Sequence, residues 1–377
     1  MLQLSLLAAA LLLLPMLARD PSAESARSQN KLFSPTQAPP NARYVGSKTC
    51  ANCHEQQAAG HNANAMTLAL ELPPEYGVLR QYPSLSLKRG KYRYTVERKG
   101  NESIYSVTDG QQTISVPVAW AFGASKMGQT FVLRHQGQFY ESRVSFYQSI
   151  KGLDLTMGVP AGTEPRTIEE ALGRVMQSVD TKDCFGCHAT AAVSEAKLQL
   201  DKMTPGITCE ACHGPGADHV ALAKTGKLKT AADRQIFNPD SLSAYDLSQQ
   251  YCGACHRSWE QVSLMGLRGI GNVRFQPYRI TYSPCYDPED RRISCTACHN
   301  PHQPLSHDVA SYDAKCLACH QTTGAVTNAA STKAKACKTG KANCASCHMP
   351  RYEIPGSHFE FTDHMIRVVK PGESYPN

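Results

Sequence analysis

Aromatic residues are scarce in this chain. They make up 7% of 377 residues, with two tryptophans, which leaves less material for a conventional side-chain core than the length implies. No Lys or Arg precedes the first apolar run, residues 1–18. The run has export-signal length but lacks the usual basic start, so either the true start lies upstream or the signal is weak. It is also shorter and less well flanked than the ~20 apolar residues that cross a bilayer. No cysteine occurs before Cys50, which argues against a lipid-modified cysteine at a mature N-terminus. Cysteine is missing again between Cys53 and Cys184, and of sixteen cysteines only Cys285 and Cys337 stand outside one repeated pattern.

That pattern is Cys-x-x-Cys-His, and it occurs seven times: Cys50-Ala-Asn-Cys53-His54, Cys184-Phe-Gly-Cys187-His188, Cys209-Glu-Ala-Cys212-His213, Cys252-Gly-Ala-Cys255-His256, Cys295-Thr-Ala-Cys298-His299, Cys316-Leu-Ala-Cys319-His320 and Cys344-Ala-Ser-Cys347-His348. Two thiols three residues apart reach the two vinyl groups of one porphyrin, and the adjacent imidazole falls under the iron as its proximal ligand. A zinc ribbon or a thioredoxin-like redox pair also uses Cys-x-x-Cys, but neither requires the following histidine. At a histidine frequency of roughly one in fifty, seven coincidences are negligible. The expected cofactor is therefore haem c, seven copies, covalently attached through these cysteine pairs.

Covalent haem attachment takes place outside the bacterial cytoplasm, so the motifs and the apolar N-terminus both point to a periplasmic or exported protein. The formal charge of +7 would suit nucleic acid or anionic membranes. Seven haems, however, bring roughly −14 in propionates against about +7 from ferric irons. Nucleic acid is therefore not an expected partner. The expected partners are redox proteins, a donor and an acceptor, with a membrane quinol-linked complex as one candidate; the sequence leaves the oligomeric state open.

Along the chain we expect a signal peptide at 1–25 and a flexible linker rich in Ser, Pro, Asn and Gln at 26–42. A multihaem domain is expected at 43–377. Within it, residues 91–98, 103–107, 113–116, 130–133 and 138–146 alternate apolar with polar positions between turns at Gly100, Gly110 and Gly137. They predict a β-rich insertion at 85–150, either a lid that shields haem from water or a docking surface. From Thr167 onward the pattern turns helical, with short helices at 191–200 and 217–230. Motifs only twenty-odd residues apart, at Cys184 and Cys209 and at Cys295 and Cys316, force their porphyrins together. The expected fold is a mostly α and irregular multihaem cytochrome c fold built around stacked haems, with a small antiparallel β insertion.

Seven histidines belong to the motifs and seven do not, so the number of possible sixth ligands equals the number of haems. His302 follows His299 by three residues and His219 follows His213 by six. Neither can travel round the edge of its own porphyrin, so each is expected on a neighbouring haem. His61, His219, His302, His364, His358 and His307 form the candidate ligand set beside the proximal His54, His188, His213, His256, His299, His320 and His348. His135, at a turn of the β unit, reads as an exposed imidazole. Met66 and Met349 are alternative axial ligands with packing as their commoner role. Trp120 and Trp259 read as packing or haem-edge residues. Cys285 and Cys337 form a disulfide or stay separate thiols.

The segment 45–54 with His61, the run Cys209-Glu-Ala-Cys-His-Gly-Pro-Gly-Ala-Asp-His219 and the run Cys295-Thr-Ala-Cys-His-Asn-Pro-His302 resemble multihaem cytochromes of the cytochrome c-554 type. The ending, Cys344-Ala-Ser-Cys-His-Met-Pro350 with Phe361-Thr-Asp-His364, is similar to an element shared with cytochrome c nitrite reductases and hydroxylamine oxidoreductases. The resemblance runs roughly over 44–369, with gaps through the β unit. It implies distal-ligand roles for His61, His219, His302 and His364, and a function in carrying electrons between periplasmic partners. The chain departs in having seven motifs where the namesake has four, and in lacking the Cys-x-x-Cys-Lys motif of nitrite-reductase active sites. Two functions follow. One is an electron carrier with mostly bis-histidine haems. The other is an oxidoreductase that binds a small nitrogen or sulfur compound at one five-coordinate iron.

Overall fold

The period-two stretches build the largest body of the protein. The computed structural model describes residues 33–73, 75–123, 126–230, 234–320, 337, 340 and 342–376, and the elements below lie in the compact unit Ser34–Asn377. Nine strands pair antiparallel: β1 (Leu70–Glu71), β2 (Ser84–Arg89), β3 (Tyr92–Lys99), β4 (Glu102–Thr108), β5 (Thr113–Phe122), β6 (Gly128–His135), β7 (Gln138–Tyr147), β8 (Gly152–Leu155) and β9 (Gly173–Val175). β2 to β8 follow in sequence order, β1 adds to β5 and β9 to β7. β2 and β8, the two ends of the path, also approach each other, so the sheet curls into a nearly closed barrel. β6 and β7 are joined by Gln136 and Gly137, both at positive φ (48° and 76°), the two-residue turn whose twist matches that of the strands. Tyr94 and Val96 of β3, Tyr105 of β4, Phe131 and Leu133 of β6 and Phe146 of β7 fill the inside.

This overturns the expectation of a mostly α fold with a small β insertion. A haem motif needs only a turn or two of helix, and the motif helices accordingly run from 4 residues (Cys295–Cys298) to 11 (Ser178–His188). The sheet, in contrast, recruits β1, β8 and β9 from outside 85–150. Strands of two to four residues are too short to show a period.

Short helices carry or flank the motifs: α1 (Ser47–Ala51), α3 (Ser178–His188), α4 (Cys209–His213), α5 (Gly253–His256), α7 (Cys295–Cys298), α8 (Asp313–His320) and α9 (Cys344–His348) hold motif residues, while α2 (Glu55–Asn62) follows the first motif and α6 (Gln276–Ile280) lies between the fourth and the fifth. The sheet holds one of them directly. Phe185 of α3 inserts between Trp120 and Phe122 of β5, ring centroids 5.1 and 5.0 Å away and nearly perpendicular, with Phe139 of β7 alongside. Such edge-to-face packing adds to the burial of the rings and fixes the second motif on the sheet. Trp120 is thus a packing residue.

The signal peptide expected at 1–25 lies outside the described residues, as does the first part of the linker. In the described part, Ala38 N–H donates to the Val193 carbonyl at 2.7 Å. Among the described residues no helix is long and apolar enough to cross a membrane.

Candidate haem sites

All seven motifs begin on a helical turn. Residues i and i+3 of a helix share a face, so both thiols of a motif point the same way. At the first motif the turn continues past α1: Cys53 N–H and His54 N–H both donate to the Cys50 carbonyl, at 3.1 and 2.9 Å.

Three motif histidines face a second histidine from elsewhere in the chain. His54 faces His219 with ring centroids 6.3 Å apart and planes at 22°. His213 faces His302 at 5.9 Å and 6°, and His299 faces His364 at 6.2 Å and 44°. Two imidazoles bonded to opposite sides of one iron, each at about 2.0–2.1 Å, put their centroids roughly 6 Å apart. The residues therefore fit the group. Their tautomers fit as well: the Nδ1 atoms of His188, His213, His219, His348 and His364 lie 2.7–3.1 Å from the carbonyls of Ala69, Phe237, Arg234, Arg367 and Thr362. A carbonyl on Nδ1 places the proton there and leaves the Nε2 lone pair for a metal.

Ligation requires a neutral ring, and desolvation favours that form at several of the histidines. It pushes His364 down to about 4, with the Thr362 carbonyl opposing and His299 and His256 adding to the effect. It likewise lowers His188, His213, His256 and His299. His61 is buried on α2 and lowered by desolvation first, then by the neighbouring His302 and His213. It thus stands beside the third motif's pair.

The remaining candidates are placed differently. His358 Nε2 is 2.8 Å from the Asp154 carboxylate of β8, with its ring 4.9 Å from Tyr147, so the nitrogen that would meet iron is engaged. His307 is exposed in the loop before α8. His135 ends β6 against Tyr140. His188 meets Phe122 at 5.3 Å. No disulfide joins Cys285 and Cys337.

The motifs are all connected, with the second branching from the fourth. Cys50 of the first meets Cys209 of the third, and Tyr251, next to the fourth, donates its hydroxyl to the Cys212 carbonyl. In the fourth, Cys255 meets Cys187 of the second and Cys252 meets Cys295 of the fifth. Cys298 neighbours Cys316 of the sixth, which in turn meets Cys344 of the seventh. Six histidines come together in the three pairs above, and among the described residues no three His, Cys, Asp or Glu side chains build a metal-ion cage.

Three acidic residues that sequence reasoning missed hold this arrangement. Glu210, inside the third motif and buried, accepts N–H bonds from Val45 (2.9 Å), Gly46 (2.8 Å) and Gly216 (2.8 Å), tying the approach to the first motif to the start of the His219 helix. Asp313 accepts from Cys344 N–H (2.8 Å) and Asn343 N–H (2.6 Å) and so joins the sixth motif to the seventh; the Cys344 bond above all holds its carboxyl below the usual range. Asp363, fully buried beside His364, takes a two-pronged Arg279 (2.8 and 3.0 Å) and Arg367 (2.9 Å). An acid within or beside a motif was the available signal, but its donors lie far away in sequence.

Residues 161–214, which contain the second and third motifs, match the family model described as cytochrome c554 and c-prime. The chain is similar to cytochrome c-554 of Nitrosomonas europaea, 31% identical over 90 residues that cover 21% of this chain and 36% of that protein. It therefore spans about a third of the length of this curated relative. A solved structure, the outer cell wall cytochrome OcwA, aligns with 56% of this chain and 37% of its own at 17% identity and a TM-score of 0.30.

Proposed function

Since this chain carries cytochrome c-554-type multihaem sequence, we propose that it is an exported heptahaem cytochrome that passes electrons between a protein donor and a protein acceptor. Haem c attached at each motif supplies one reversible electron. The observation that carries the reading is that all seven motifs are connected through neighbouring cysteines, with the second branching from the fourth. His219 and His302 each cross to the motif of a neighbouring segment and so bind two haem sites into one rigid unit. His364 does the same for the fifth motif from the C-terminal region, held by the Asp363 cluster. Imidazoles on both sides of an iron favour low potentials and little rearrangement between oxidation states.

A second reading rests on His188, whose ring packs edge-on against Phe122 at 5.3 Å rather than facing another imidazole. An open iron there would bind a small nitrogen or sulfur compound. Electron paramagnetic resonance of the oxidised protein, with haem counted by peptide mass spectrometry, separates the two. Seven haems with only low-spin signals support the carrier. A high-spin component near one equivalent that shifts with nitrite or hydroxylamine supports the oxidoreductase, and fewer than seven haems overturns the heptahaem assignment.

A further inference from the structure

The two buried arginines, Arg279 and Arg367, share Asp363, and half-buried Arg257 grips Asp183. Arg274, also half-buried, has no carboxylate of its own among the described residues. Its Nη1 meets only the Met157 sulfur at 2.8 Å, and its guanidinium lies 5.0 Å from the Phe275 ring centre. Its buried Nε has no hydrogen-bond partner. Desolvation, and after it the charge of Arg257, work against its cationic form, yet a guanidinium does not give up its proton in a protein. A charge partly withdrawn from water without a counter-charge is unfavourable, so the fork offers an anion site for which the chain provides no carboxylate.

The location names a source. Arg274 ends the turn Ile270–Arg274, and two residues on begins α6, which packs directly on α5, the helix of the fourth motif. Gln276 of α6 lies beside His256, and Arg257, which neighbours Arg274, follows His256 in sequence. The unpaired fork therefore borders the space next to the fourth proximal histidine.

We propose that Arg274 is a carboxylate anchor, whose fork receives a propionate of the haem attached at Cys252 and Cys255. The inference rests on haem attachment at that motif, the reading given above. A planar fork matches a planar oxyanion through two parallel N–H bonds. A small inorganic oxyanion presents the same chemistry, but a covalently held group supplies its carboxylate in every molecule. A cation compensating that propionate favours the ferrous state of the adjacent iron. Its removal lowers one potential and lets the propionate take up a proton near neutrality.

The test is a spectroelectrochemical titration of the holoprotein, wild type against Arg274→Gln and Arg274→Lys, with haem at each motif verified by peptide mass spectrometry. The expected result is one haem at lower, newly pH-dependent potential in Arg274→Gln, six unmoved, and partial recovery in Arg274→Lys, which keeps the charge without the fork. Full haem content with all seven potentials unmoved in both variants overturns the anchor. A wild-type spectrum that responds to nitrite or nitrate, with the response lost in both variants, gives the fork to an external oxyanion and also overturns it. Wild-type protein without haem at Cys252 and Cys255 instead removes the reading on which the anchor rests.

Discussion

An imidazole binds iron through one nitrogen, and what the other nitrogen meets decides where the ring is aimed. His219 and His364 have Nδ1 on a carbonyl and the far side of the ring towards a motif histidine, whereas His358 commits Nε2 to Asp154. Replacing His219 or His302 by Ala is therefore expected to convert one haem equivalent from low to high spin, read by electron paramagnetic resonance, with haem content unchanged. His358→Ala should leave the low-spin count as it was; loss of a low-spin haem there would return His358 to the ligand set. The placement of His219 and His302 beside the histidine of another motif was legible in the sequence, because a porphyrin's width forbids short returns. His358 was not, because its partner Asp154 is 204 residues away and no spacing rule connects them.

The elements that present these rings are held by single contacts of little tolerance. Gly60 of α2 faces the backbone of His302, where an added Cβ would stand 2.2 Å from the carbonyl oxygen, and Asn64 donates to the carbonyls of Pro301 (3.3 Å) and Gln303 (2.8 Å). Gly60→Ala is expected to push the 300–303 loop away, so that the His213 haem loses its low-spin signal although no ligand has been changed. An unaltered spectrum would mean that the loop relaxes freely. Glu210→Gln leaves at least one of three N–H donors, among them the buried Gly216, without a good acceptor, and we expect a loss of about 1–3 kcal/mol in chemical denaturation; a loss below about 0.5 kcal/mol, the order of a neutral surface change, would contradict the tie between the first and third motifs. Local readings had no access to either contact. The β unit shows the same limit: the alternation in β3, β4 and β7 was legible, while β1, β8 and β9 exist only because longer strands offered them an edge.

At the scale of the whole molecule, burial has been arranged around neutral histidines, and this gives the fold a direction in pH. His61, His188, His213, His256, His299 and His364 all have folded values below the ordinary 6.5, each mainly through desolvation. A depressed folded value means that the folded state binds fewer protons than the unfolded one, so stability rises with pH across the window. The contribution is fully present above pH 6.5 and is lost as pH falls through each folded value, about 4 for His364. Iron on Nε2 would act in the same sense, because a ligated ring has no lone pair left to protonate. Asp313, held below its usual range by N–H groups, extends the loss to more acid pH. Denaturant melts between pH 8 and 4 should show a plateau down to about 6.5 and a progressive fall below it, accompanied by conversion of low-spin to high-spin haem. Stability that increases from pH 7 to 5 would mean that these rings are charged in the folded protein, and charged imidazoles cannot hold iron.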